Sequence, residues 1–96
     1  MGIKVKSFLT LRQVMGNQSS IDVNCGPTTI QEFLRLLTLR FGSGFKDMVF
    51  DEGTWTVGPH VRILVNGRHY GTLPEKLDTT ITQDDEICLF PPIAGG

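Results

Sequence analysis

Apolar residues recur at helical spacing over only one long stretch of this chain, and short alternating segments lie on both sides of it. Ile30, Phe33, Leu34, Leu37 and Phe41 fall three or four residues apart, and Leu36 and Leu39 widen the stripe, so one face of a helix needs cover. Thr28 or Thr29 can cap its start, with Gln31 or Glu32 three residues on completing a capping box. Gly42 supplies its stop, because glycine enters the left-handed region without a Cβ penalty. Before the helix, Ile3, Val5, Ser7 and Leu9 alternate with Lys4, Lys6 and Phe8, and residues 20 to 24 alternate again after a turn at Gly16-Asn17-Gln18-Ser19. These two segments predict a first hairpin. After the helix, Val61-Arg62-Ile63-Leu64-Val65 is a strand closed by Asn66-Gly67, the pair a type I′ turn favours, with a return strand near Arg68-His69-Tyr70. Leu73 to Leu77 reads as a turn or 3₁₀ segment, and Glu86-Ile87-Cys88-Leu89-Phe90 as the last strand. Residues 45 to 60 are open: Phe45, Met48, Val49 and Phe50 suit a short helix or a strand, Asp51 to Trp55 suits a turn, and Trp55 packs over an edge of the core. A lone helix buries its stripe against a sheet, so the order ββαβββ predicts an α+β chain, one main helix on one face of a mixed sheet.

Ninety-six residues make one domain, with a single core and no room for a deep cleft between lobes. Hydrophobic content of 40% and charged content of 20% are ordinary for a globular chain. No apolar run approaches transmembrane length and the first residues lack a signal peptide's apolar core, which predicts a cytoplasmic protein without a membrane partner. Gly2 follows Met1, but Lys6 stands where a myristoylation signal has Ser or Thr. The net charge is -1 and Lys and Arg form no cluster, so no nucleic-acid partner is expected. Charge is uneven: five basic residues stand against two acidic through Arg40, four against eight afterwards. Cys25 and Cys88 form no CxxC pair, and with two histidines they give no metal spacing, so free thiols and no bound metal or other cofactor are expected.

The sequence stops at Phe90-Pro91-Pro92-Ile93-Ala94-Gly95-Gly96, directly after an apolar strand. The prolines fix φ and remove two donors, which ends the strand and projects the last residues away from the sheet. Gly95 and Gly96 lack Cβ atoms and fit a channel too narrow for other residues. A flexible tail over 91–96 with a stiff base and a slim tip is expected, its terminal carboxylate available as a reacting group; a frayed end is the plain alternative.

An antiparallel hairpin, a helix, then a strand inside the sheet is the plan of the ubiquitin-like β-grasp fold. Within it the chain resembles the sulfur-carrier proteins, and most nearly the molybdopterin synthase small-subunit family. The resemblance is carried by Ile3-Lys4-Val5-Lys6 with Leu11-Arg12 and Gly16, Gly26-Pro27-Thr28-Thr29, Ile63 to Arg68, Asp85-Glu86-Ile87 and the Phe90 to Gly96 tail. It departs where Gln83-Asp84-Asp85 replaces the family's Asp-Gly-Asp, a turn that Asp84 can keep if it takes the left-handed conformation. Ile93 stands where Val is common, and the segment from Val49 to His60 is longer than in the shortest members. The resemblance implies that Gly96 is adenylated by an E1-like adenylyltransferase using ATP and converted to a thiocarboxylate with sulfur from a sulfurtransferase. It further implies that Pro91, Pro92, Ile93, Ala94, Gly95 and Gly96 enter the active site of the molybdopterin synthase large subunit, where two deliveries build the dithiolene. The chain is then a cosubstrate and non-catalytic subunit: no phosphate-cradling loop is present, and neither His60 nor His69 has a Ser or Cys partner visible in sequence. The same terminal chemistry serves carriers for thiazole, cysteine or tRNA thiolation and ubiquitin-like modifiers that form isopeptides with lysine, and an inert interaction domain is a third reading.

Alternation also predicts a partner surface. If Ile3, Val5, Ile63, Val65, Ile87 and Leu89 face the helix, then Phe8, Leu64, Cys88 and Phe90 project from the other face. Large apolar groups beside Lys4, Lys6 and Arg62 mark a partner surface, unless the segment from Val49 to His60 covers them.

Overall fold

In the computed structural model, which describes residues 2–51 and 53–91, strand β1 (Ile3–Ser7) pairs antiparallel with β2 (Ser20–Val23), Ile3 opposite Val23 and Lys6 opposite Ser20. On its other side β1 runs parallel to the last strand, β7 (Glu86–Phe90), Lys4 beside Glu86 and Ser7 beside Leu89. Strand β4 (Arg62–Val65) lies antiparallel against β7 and carries β5 (Arg68–His69) at the edge, giving a mixed sheet in the order β2-β1-β7-β4-β5. Alternation sets the two faces as expected: Ile3, Val5, Ile63, Val65, Ile87 and Leu89 are buried, while Lys4 and Arg62 are exposed and Lys6, Leu64, Cys88 and Phe90 half-buried.

Helix α2 (Ile30–Phe41) buries Ile30, Phe33, Leu34 and Leu37 in one cluster with those inward strand residues. Of the two candidate caps, Thr29 serves: its hydroxyl accepts the Glu32 N–H at 3.1 Å, satisfying one donor of the first turn. Gly42, at φ 86, ends α2 and starts α3 (Ser43–Val49), a positive-φ position where a side chain would be strained. Of the open segment, Phe45 to Val49 is thus helical, with Phe45 and Val49 buried four residues apart, while Phe50 is extended and bridges to Val57. Together these elements form the ubiquitin-like β-grasp: a mixed sheet with its main helix packed on one face.

Several expectations need correction. Strand β1 stops at Ser7, and Leu9, expected to point inward, is 62% exposed at φ 55 and opens a six-residue helix, α1 (Leu9–Val14). The first hairpin therefore closes through a helix, because Leu11 and Met15, four apart, reach the core where a tight turn would leave them in water. Ser7 secures the departure point: its hydroxyl donates to the Gln18 carbonyl at 3.0 Å and its N–H to Ser19 at 3.2 Å. A second sheet, β3 (Thr28–Thr29) with β6 (Thr80–Ile81), was not anticipated and holds the start of α2. The return strand begins at Arg68 as expected but gives way at Tyr70 to a 3₁₀ turn (Tyr70–Thr72), and the turn or 3₁₀ segment expected over Leu73 to Leu77 is a 3₁₀ turn at Lys76–Asp78.

At the β4–β5 turn Asn66 and Gly67 take φ 52 and 86, as type I′ requires. Asn66 also bridges to β7, its amide nitrogen donating to Asp85 at 2.8 Å and its side-chain oxygen accepting the Glu86 N–H at 2.9 Å. Asp85 in turn accepts the Thr82 N–H at 2.7 Å. Its side chain therefore fastens this corner, and the turn is kept without a left-handed Asp84.

Gly2 has a structural role. A Cβ on it would lie 2.4 Å from the Val23 carbonyl oxygen, a backbone atom that cannot swing aside. Gly2→Ala is expected to destabilise by about 1–3 kcal/mol, whereas Gly26→Ala, where added carbon meets open space, should stay within about 0.5 kcal/mol of wild type. Chemical denaturation of the two variants checks this; equal midpoints would remove the close-approach argument.

Candidate functional site

The outer sheet face converges on the end where β1 and β7 finish together. Because the two strands are parallel and Ser7 pairs with Leu89, the next residue on each, Phe8 and Phe90, stand side by side. Their rings stack with centroids 4.4 Å apart and planes within 3°. Phe8 is still extended, at φ -131 and ψ 152, and the left-handed Leu9 turns the chain away immediately after it. Leu64, on β4, lies opposite Cys88, two pairs along the ladder from Arg62 and Phe90 and so on the same face. The structure thus brings Phe8, Leu64, Cys88 and Phe90 onto one face, each half-buried. Within the segment from Val49 to His60, Phe50 bridges to Val57 and Trp55 accepts at its carbonyl a hydrogen bond from the Gln31 side chain on α2, while Pro59 and His60 line the same groove as Leu64 and Phe90.

The opposite end of this face is polar. Lys6 and Glu86 pair at 3.5 Å, both substantially exposed, and the Cys88 thiol lies 3.8 Å from the Glu86 carboxylate. Burial pushes the Cys88 thiol up from its ordinary value; the Glu86 carboxylate adds to this and the Lys6 ammonium opposes it. Cys25 is raised by burial too. Neither thiol has the cationic setting that activates a cysteine nucleophile.

An open groove of about 870 Å³ runs beside the stacked rings. Val61, Leu64, Phe90 and Pro91 supply apolar wall, while His60, Arg62 and His69 supply donors. Pro91 is buried, so it belongs to the anchored base of the tail. Pro92, Ile93, Ala94, Gly95 and Gly96 lie outside the described residues. His69 Nδ1 accepts the Gly71 N–H at 3.0 Å and its ring stacks on Tyr70, a turn-forming arrangement with no nucleophile. Among the described residues no group of three His, Cys, Asp or Glu side chains could hold a metal, and no helix is long and apolar enough to cross a membrane.

Sequence reading missed the surroundings of Trp55. Arg35 and Lys46 lie 5.0 and 4.8 Å from its ring centroid, and Phe50 meets its edge at 5.0 Å. The cations come from α2 and α3, so no local signal could have placed them there.

A ubiquitin-like domain with an apolar outer sheet face at the point where its last strand ends defines a class of small carrier and modifier proteins. The ThiS family profile matches residues 5–96, and the chain belongs to that family of ubiquitin-like sulfur carriers. A relative named small archaeal modifier protein 3, from Haloferax volcanii, is 31% identical over 96 residues, covering all of both chains. The solution structure of the Haloferax volcanii HVO 2177 protein is 34% identical with a TM-score of 0.76, covering 100% of this chain and 87% of the other. The putative molybdopterin converting factor subunit 1 of Pyrococcus furiosus is 29% identical with a TM-score of 0.65, over 95% of this chain and 97% of that one.

The stack should be measurable. In a double-mutant cycle of Phe8→Ala and Phe90→Ala, read by urea denaturation, a coupling of about 0.5–1.5 kcal/mol is expected; additive losses would show that the rings act only through separate burial.

Proposed function

We propose that this chain carries sulfur on the carboxyl of Gly96 and delivers it to a pyranopterin, building the dithiolene of molybdopterin for a molybdenum or tungsten cofactor. The observation that carries the reading is the stacked Phe8 and Phe90 pair with Leu64 at the base of the tail. Such a surface gives a partner a rigid apolar anchor from which the tail can be aimed into an active site. A carboxylate is a poor acyl donor. An E1-like adenylyltransferase would let the Gly96 carboxylate attack the α-phosphorus of ATP, releasing pyrophosphate and leaving a mixed anhydride with AMP. The outer sulfur of a sulfurtransferase persulfide then displaces AMP to give an acyl disulfide, and a second thiol of that partner cleaves the S–S bond, leaving the thiocarboxylate on Gly96 and a disulfide on the partner. Delivery takes place in the molybdopterin synthase large subunit, and this chain supplies reach, orientation and the sulfur while its partners supply the catalytic groups. Support for the pterin as acceptor comes from the likeness to the Pyrococcus furiosus protein and from the Pro91-Pro92 base.

A second reading is favoured by the full-length relative named as a modifier: the same adenylate passes to a lysine amine, forming an isopeptide. The two share activation and differ in the acceptor.

The intact mass of N-terminally tagged protein recovered from its own host should show oxygen replaced by sulfur, and the signal should vanish in a variant lacking Gly96. An unmodified carboxylate together with lysine-linked conjugates would overturn sulfur carriage in favour of modification. Phe8→Glu places a charge in the anchor and should abolish thiocarboxylate formation, while stability falls by no more than about 2 kcal/mol; normal loading of a folded Phe8→Glu protein would remove the outer face from the mechanism.

A further inference from the structure

Asparagine followed by glycine is prone to spontaneous chemistry, because a residue without a Cβ leaves its own nitrogen unhindered for attack on the preceding carboxamide. Of the three asparagines in the chain, Asn17 precedes Gln18, Asn24 precedes Cys25 and only Asn66 precedes glycine. Asn66 and Gly67 are both exposed, and even a Cβ on Gly67 would meet open space. Crowding therefore does not protect the pair.

Hydrogen bonding does. Asn66 Nδ2 donates to Asp85 Oδ1 at 2.8 Å, its side-chain oxygen accepts the Glu86 N–H at 2.9 Å, and its own N–H donates to the Glu86 carbonyl at 2.8 Å. Three bonds tie this one residue to the start of β7. The acceptor is itself fixed: Asp85 Oδ2 accepts the Thr82 N–H at 2.7 Å, and the Asp85 N–H donates to the Thr82 carbonyl at 2.9 Å. A carboxylate also holds an amide more strongly than a neutral acceptor does. Cyclisation requires the carboxamide carbon of Asn66 to come within bonding distance of the Gly67 nitrogen. A carboxamide bonded at both ends to β7 must give up those bonds to move there.

We propose that Asn66 is a guarded deamidation site, held off by Asp85 and Glu86 while the corner is closed and modified only in molecules whose corner has opened. The rate then follows the population of the open form. In the reaction the Gly67 backbone nitrogen bonds to Cγ of Asn66, the Cγ–Nδ2 bond breaks, and the proton of the attacking nitrogen leaves with the amide as ammonia. Water opens the resulting cyclic imide at either carbonyl, to aspartate or to isoaspartate. The product cannot donate to Asp85, and sets a second carboxylate against it where an amide stood. Modification therefore disfavours reclosure, and the β4–β5 turn loses part of its hold on β7.

The test incubates the full-length protein and a capped pentapeptide of residues 64–68 at mildly alkaline pH, and follows conversion by mass and by peptide mapping that separates aspartate from isoaspartate. The protein should convert at Asn66 at least tenfold more slowly than the peptide. Asp85→Ala, which removes one of the two side-chain bonds, should convert at least fivefold faster than wild type. Asn66→Asp should melt below wild type, and adding Asp85→Asn should recover most of that loss, since the new amide donates to the new carboxylate while its oxygen still accepts the Thr82 N–H. Conversion of the protein at the rate of the peptide, earlier conversion at Asn17 or Asn24, a folded Asp85→Ala protein as slow as wild type, or an exchanged pair no more stable than Asn66→Asp alone would each overturn the proposal. Should Asp85→Ala unfold, the peptide comparison and the exchanged pair still decide the matter. None of these readouts involves the terminal carboxyl, so their failure would leave sulfur carriage standing, and absence of a thiocarboxylate in the host would leave them untouched.

Discussion

The parallel pairing of β1 with β7 is the contact on which the rest depends. Parallel strands finish at the same end of a sheet, so Phe8 and Phe90 become neighbours and stack at 4.4 Å. With the reverse pairing, Phe8 would stand near Glu86 and the apolar patch would be split. The same pairing puts the last strand between β1 and β4, in the interior of the five-stranded sheet. A tail emitted from an edge strand would have a base held on one side. Here Phe90 is held by β1 through its ring and by β4 through its ladder with Arg62. The cost is kinetic, since the strand that completes the sheet is the last in sequence and its partner among the first, a non-local contact of the kind that slows folding.

How much of the fold was legible in sequence depends on how far each signal extends. Alternation along Val61 to Val65 and Glu86 to Phe90, the stripe of α2 and the Asn66-Gly67 pair were each legible because their spacing is complete within one segment. Parity alone assigned Phe8, Leu64, Cys88 and Phe90 to a common face. It could not show that two of them touch, which needs the direction of the β1–β7 pairing. Leu9 misled because its spacing continues that of Ile3, Val5 and Ser7, whereas Leu11 and Met15 carry the competing four-residue spacing across only six helical residues. Two-residue strands such as β3 and β6 contain too little pattern to detect. The Trp55 cluster was hidden for a further reason: its cations arrive from two helices that only tertiary packing brings together.

The two halves of the outer face have different energetics. At one end Lys6 and Glu86 are paired but exposed to water, and such a pair contributes little to stability because solvent screens it. At the other end the aromatic pair is only half-buried, and part of its apolar area would be removed from water on docking. The domain itself is secured elsewhere, by a core that includes Phe33, Phe45, Leu11, Met15 and the inward strand residues. Changes to the outer face can therefore be made without unfolding the chain, and under the proposed function this separation would let one small domain present the same surface to successive partners.

The inertness of the two thiols bears on the chemistry proposed for the tail. An acyl-adenylate is open to attack by any thiolate within reach, and a thioester formed within the chain would divert the carboxyl from its sulfur donor. Cys88 lies on β7, two residues before Phe90, the nearer of the two cysteines in sequence to the carboxyl. Its burial and the adjacent Glu86 carboxylate hold the thiol in its protonated form, outweighing the pull of the Lys6 ammonium. Cys25, in the loop before β3, is raised by burial alone. A thiol held protonated is a weak nucleophile at neutral pH. On the proposed chemistry, the strand leading to the reacting carboxyl would thus carry a sulfur atom that fills space on the outer face without competing for the acyl group.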